Sequence, residues 1–132
     1  MRRKNLHPSE AQEQSALIEL CNANIHKYPE LELIFHIPNG AGKLSKRLGG
    51  LLKRMGLKKG VLDLMLPCQR GGYAGLFIEM KSKIGKPSKE QNWWAGKLKE
   101  QGYLCILAKG SDVAWVAVTS YLEGRCVRVE TK

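Results

Sequence analysis

Val61-Leu62-Asp63-Leu64-Met65-Leu66 and Leu76-Phe77-Ile78-Glu79-Met80-Lys81 decide how this chain reads. Both are short apolar runs of strand composition, and each is broken by an acid. The segment from Pro67 to Gly75 joins them, with Gly71-Gly72 as its turn, so the two runs read as a β-hairpin. Folded about Gly71, the hairpin sets Asp63 opposite Glu79, with Cβ atoms ~5 Å apart. Facing carboxylates repel each other, and burying even one bare charge is costly. A hard divalent cation such as Mg²⁺, bound through a few carboxylates, waters and substrate phosphates, turns that liability into a site. Lys81 stands two residues beyond Glu79 and therefore points to the same face. A shift of one residue in register would separate the acids. The plainer alternatives are a Glu79–Lys81 salt bridge on an exposed strand and an Asp63 that caps a turn.

Outward from the hairpin, helices and strands alternate. A first helix is expected from Ser9 to about Asn24, with Ser9 and Gln12 spaced as a capping box. Its apolar stripe is Ala16, Leu17, Leu20 and Ala23, and Glu10 and Gln14 share another face. A loop from Asn24 to Glu30 contains Pro29, and a strand over Leu33 to Ile37 stops at Pro38. After the turn Asn39-Gly40-Ala41-Gly42, a second helix is expected from about Lys43 to Met55. Its stripe of Leu48, Leu51, Leu52 and Met55 reads as core in preference to an interface. Gly49-Gly50 weakens this helix by about 1 kcal/mol per glycine. A third helix spans about Ser88 to Gln101, with Ser88 and Gln91 repeating the capping-box spacing and Gly102 as C-cap. A strand over Tyr103 to Ala108, a helix over Asp112 to Leu122 and a short edge strand over Val127 to Val129 complete the order. The expected fold is α/β, one mixed sheet flanked by helices.

Composition narrows the class. The 132 residues suit a single domain spanning 1–132, and 43% apolar residues are too many for a disordered chain. No apolar run approaches the ~20 residues of a membrane span. The basic start Met1-Arg2-Arg3-Lys4-Asn5 leads into no hydrophobic stretch, so an intracellular, cytoplasmic protein is expected. Cys21, Cys68, Cys105 and Cys126 lack C-x-x-C spacing, which argues against structural zinc. His7, His26 and His36 show no ligand spacing and read as structural.

The net charge is +10, from 22 Lys+Arg against 12 Asp+Glu, which favours an anionic partner, nucleic acid first. No acid occurs between Glu32 and Asp63, a stretch that holds Lys43, Lys46, Arg47, Lys53, Arg54, Lys58 and Lys59. Clustered cations of this kind bind phosphates and release counterions; the alternative is a solvated helix face. Lys83 and Lys86 belong to a second basic run, a loop after Glu79. Neither run is interleaved with aromatics along the chain, so recognition by backbone and shape is expected.

Asp63 followed by Glu79-Met80-Lys81 resembles the PD-(D/E)XK nuclease superfamily, and the chain as a whole resembles its VRR-NUC (virus-type replication–repair nuclease) domain. The matching pieces are Ser9-Glu10 with Gln14, Pro38-Asn39-Gly40, Gly60-Val61-Leu62-Asp63-Leu64, Gly75-Leu76-Phe77-Ile78-Glu79-Met80-Lys81, Ser88 with Gln91, and Gly102-Tyr103. They run in family order over most of the chain. One departure is Leu62, where the family usually has proline before the aspartate; this bears on how the strand starts.

The resemblance implies a restriction-endonuclease-like core and metal-dependent hydrolysis of DNA phosphodiesters. Compact bacterial and phage members act as homodimers on four-way (Holliday) junctions, which is the expectation for a chain of this size. Nicking, flap or splayed-arm cutting and a non-catalytic nucleic-acid-binding module are the rivals. The implied roles are Asp63 and Glu79 as ligands of Mg²⁺ or Mn²⁺, aided by the Met80 carbonyl. Glu10 is a third carboxylate, acting directly or through water, with Glu13 as its competitor. Lys81 orients water or stabilises the transition state. Gln91 either supports the site or only caps its helix.

Overall fold

The computed structural model describes residues 7–40 and 44–125. The elements follow in the order α1 (Glu10–Ala23), a 3-10 turn (Pro29–Leu33), β1 (Phe35–His36), α2 (Lys46–Arg54), β2 (Leu64–Leu66), β3 (Leu76–Lys81), α3 (Lys89–Glu100), β4 (Leu104–Lys109) and α4 (Ser111–Leu122). The strands form one sheet in the order β1-β2-β3-β4. The first two pairings are antiparallel, and β3 runs parallel to β4 through the α3 crossover. This is the expected mixed sheet flanked by helices.

The hairpin adopts the register centred on Gly71. Leu64 faces Ile78, Met65 faces Phe77 and Leu66 faces Leu76. Carried one step beyond Leu64, the same register sets Asp63 against Glu79. At the other end Gly71 and Gly72, with φ of 57° and 87°, supply the left-handed conformations of a two-residue turn. Arg70 and Tyr73 close that turn with reciprocal backbone hydrogen bonds of 3.2 and 2.9 Å.

The sheet separates two cores. On one face Leu64, Leu66, Leu76, Ile78 and Met80 pack against Leu17 and Cys21 of α1 and Ala114, Ala117 and Val118 of α4. On the other, Phe77 and Cys105 pack with Leu62 and with Ala95 of α3. Side chains alternate along β3, so Glu79 and Lys81 emerge on the face of Phe77, beneath α3. Both capping boxes form: Ser9 with Gln12, and Ser88 with Gln91.

Four expectations change. β1 is shorter, because Pro29 nucleates a 3-10 turn that takes up Leu33. β2 begins at Leu64 and not Val61, so Asp63 precedes the strand. The buried face of α1 is Glu13, Leu17 and Cys21, while Leu20 is 36% exposed. The largest departure is α2. Ser45 caps it, it has no buried residue, and Leu48, Leu51 and Met55 are exposed. Its stripe is therefore not core: α2 lies outside both core clusters. Lys43 and the expected strand Val127 to Val129 lie outside the described residues, as does Cys126. The other three cysteines are free and buried.

Candidate active site

Asp63 is held from three directions. Its Oδ2 accepts a hydrogen bond from the Met80 backbone N–H at 2.9 Å, and its Oδ1 accepts one from Asn39 Nδ2 at 3.0 Å. Its carbonyl accepts the Ile37 N–H at 2.8 Å and lies 2.9 Å from His36 Nδ1. Gln14 Nε2 of α1 stands 3.1 Å from the same ring nitrogen. The Pro38-Asn39-Gly40 turn thus positions an acid 24 residues further along the chain. Each Asp63 oxygen receives one hydrogen bond here and keeps acceptor capacity. The N–H and C=O of a strand residue point to the same edge, so the Met80 carbonyl faces the Asp63 side of β3.

Glu79 is buried. Its Oε1 accepts from Gln91 Nε2 at 2.8 Å and lies 3.8 Å from Lys81 Nζ. Its Oε2 is buried with no hydrogen-bond partner. Burial first, then the Asp63 charge beside it, push the Glu79 carboxyl up to about 9, and the Lys81 ammonium offsets this only in part. Gln91 serves two purposes at once. Its Oε1 accepts the Ser88 N–H at 2.8 Å, which completes the helix cap, and its Nε2 donates to Glu79.

Lys81 is also buried, and its ammonium reaches Glu10 Oε1 at 3.4 Å. Glu10 is half-exposed at the start of α1 and meets the site through Lys81. Glu13 turns elsewhere: its Oε1 accepts from the backbone N–H and the hydroxyl of Ser111, at 3.3 and 3.4 Å. It thereby caps α4, whose own N-cap, Gly110, has no side chain to do so.

An open cleft of about 330 Å³ gives access, lined by Glu10, Gln14, His36, Asn39, Leu52 and Asp63 among others. Leu44, Leu52 and Leu57 form its apolar wall, so α2 and its flanks border the cleft. Lys46, Arg47, Lys53, Arg54, Lys58, Lys59 and Lys86 are exposed. Lys83 is engaged with Asp112 at 2.6 Å. His36 could not be found by spacing, because its partner is a main-chain carbonyl 27 residues away, which no side-chain pattern reveals.

The donor set suits a hard divalent cation. A buried carboxylate oxygen without a partner, and a carboxyl raised by burial and then by its neighbour's charge, would both be relieved by one. Among the described residues no group of three or more His, Cys, Asp or Glu side chains could hold a metal ion. Mg²⁺ does not require one, since it binds through one or two carboxylates and completes its shell with water and phosphate oxygens.

A mixed four-stranded sheet flanked by helices, with an acid before one central strand and Glu-x-Lys within its neighbour, defines the restriction-endonuclease-like α/β class. Within it, a solved structure described as a VRR_NUC domain protein matches 93% of this chain and 93% of its own, with TM-score 0.76 and 27% sequence identity. The fold of this chain is that of a VRR-NUC domain. No family sequence model matches the chain, and no curated protein does.

Proposed function

We propose that this protein is a Mg²⁺- or Mn²⁺-dependent DNA endonuclease that cuts branched DNA, four-way junctions first, as a homodimer. The observation that carries the reading is the half-buried Asp63 in the register position opposite the buried Glu79, with Lys81 beside Glu79, where Asp63 lines a cleft that α2 and its flanks border. Asp63, Glu79 and the Met80 carbonyl would hold the ion, with Glu10 acting on it through water. A divalent ion there makes water a stronger nucleophile near neutral pH and offsets phosphate charge.

The side chains divide the remaining work. Asn39 and the Met80 N–H fix the Asp63 carboxylate before substrate arrives, and His36 holds the Asp63 main-chain carbonyl. Gln91 fixes Glu79. Lys81, aimed by Glu10, places a positive charge where the phosphorane develops, and a single preorganised donor of that sort contributes about 10²–10³ in rate. Lys46, Arg47, Lys53, Arg54, Lys58, Lys59 and Lys86 bind the backbone phosphates of the arms, with Lys43 and Lys83 assigned alongside them. Two symmetric cuts in a junction need two sites, and one chain supplies one.

The test is cleavage of a labelled four-way junction, of matched flap and splayed-arm DNA, and of linear duplex, with Mg²⁺, Mn²⁺ or chelator. Metal-dependent paired nicks in the junction and a dimer mass by light scattering are expected. Preferential cutting of flaps or splayed arms would move the specificity. Full activity of Asp63→Ala would overturn the site.

A further inference from the structure

Away from the cleft, the fold assembles something the linear sequence keeps apart. Trp93 and Trp94 of α3 line an open pocket of about 640 Å³ together with Lys58, Lys59, Lys89 and Glu90. Trp94 is anchored, its Nε1–H donating to the Lys59 carbonyl at 3.1 Å. Trp93 packs edge-on against it, with ring centroids 5.5 Å apart and planes at 90°. Trp93 itself is 57% exposed, a large aromatic surface left in water on a charged protein. Lys97 Nζ lies 6.0 Å from its ring centroid. Glu90, the acid of the pocket, interacts with Lys59 and Lys89, so the lining keeps a net positive charge.

A rigid aromatic face ringed by lysines has the chemistry of a single-strand contact. Every base offers a π-face to stack on, and the lysines meet the flanking phosphates. A duplex, with its bases stacked inside, offers phosphates alone. The pocket also lies within one turn of Gln91, the residue that carries Glu79. We infer that Trp93, with Lys58, Lys59 and Lys89, binds an unpaired stretch of DNA by stacking a base on the indole, and thereby selects substrates with exposed bases near the cut. This rests on the nuclease reading for its biological use, but the binding itself needs no catalysis.

The test separates the two. Affinity of the full chain for a fluorescein-labelled oligothymidylate and for a duplex of equal length is measured by anisotropy in chelator. Trp93→Ala is expected to weaken oligothymidylate binding about tenfold and to leave duplex binding unchanged. Trp93→Phe should restore most of the loss. Lys58→Gln with Lys59→Gln should lower the salt slope for the oligothymidylate by about 1.4. A Trp93→Ala protein that binds oligothymidylate like the parent overturns the inference, as does an equal loss on duplex or failure of Trp93→Phe to rescue. Absence of Mg²⁺-dependent cleavage alongside the expected binding pattern would sink the nuclease assignment and leave the single-strand site standing.

Discussion

Glu79 holds a proton in the fold up to a pH of about 9, whereas the unfolded chain releases it near 4.5. Across that interval the folded state binds the extra proton, so the contribution of this group to stability is full below the lower value and is lost as pH rises towards the upper one. In chelator, the melting temperature should therefore fall between about pH 5 and pH 9, and Glu79→Gln should remove that slope. A variant that melts with the parental pH profile would show that Glu79 is not the titrating group. If the proposed Mg²⁺ site forms, the ion would compete with the Glu79 proton, and stabilisation by added Mg²⁺ should grow with pH over the same range. Lys81→Met keeps the aliphatic bulk and removes the charge. It should cut junction cleavage about 10²–10³-fold and leave junction binding in place. Loss of binding in parallel would instead make Lys81 a phosphate contact. At this scale the acids and the lysine were legible, because strand alternation places Glu79 and Lys81 on one face and the hairpin register sets Asp63 against Glu79. His36 and the exposed Trp93 were not, since each acquires its meaning from a residue far away in the chain.

Among elements, the contact between α3 and the segment leading to Asp63 is the tightest constraint near the site. Gly60 has φ +85°, and a Cβ there would meet Glu90 Cβ at 2.5 Å. Gly60→Ala should cost about 3 kcal/mol or more, read as a shifted denaturation midpoint, and should loosen Gln91 from Glu79. Gln91→Glu separates cap from site. A glutamate still satisfies a capping box, so α3 should keep its stability, but it sets a third carboxylate against Glu79 and should suppress cleavage. An active Gln91→Glu protein would confine Gln91 to capping. The capping boxes and the hairpin register could be read from the sequence, because their determinants are local: serine and glutamine three apart, and paired glycines between apolar runs. The burial of α1 and α2 could not. Glu13 is buried because the start of α4 receives it, and the leucines of α2 stay exposed because that helix flanks a cleft and does not pack on the sheet. Both outcomes are tertiary.

For the whole molecule, charge and topology act together. The basic stretch that carries no acid between Glu32 and Asp63 contains α2, and the chain then enters the hairpin, so a cationic helix borders the cleft that Asp63 lines. Junction affinity should fall steeply with salt. Replacing Lys53 and Arg54 by glutamine should weaken branched and linear duplex DNA alike, and should reduce the slope by about 0.9 for each phosphate left without its cation. A slope unchanged by those substitutions would place the phosphate path elsewhere. The fold class followed from the element order because a β-hairpin followed by a helix and a further strand joins an antiparallel pair to a parallel crossover in one mixed sheet.

The turn at Gly71 and Gly72 lies at the end of the hairpin opposite Asp63 and Glu79. Nothing stands within 4 Å of a Cβ added at either glycine. Behind it, Arg70 reaches Glu30 at 3.2 Å and the Leu122 carbonyl at 3.3 Å, and the Tyr121 hydroxyl donates to the Cys68 carbonyl at 2.5 Å. A fluorescent reporter or affinity tag spliced between the two glycines would therefore be walled off from the paired acids by a sealed strand end, giving a handle for immobilising the protein with its cleft pointing outward.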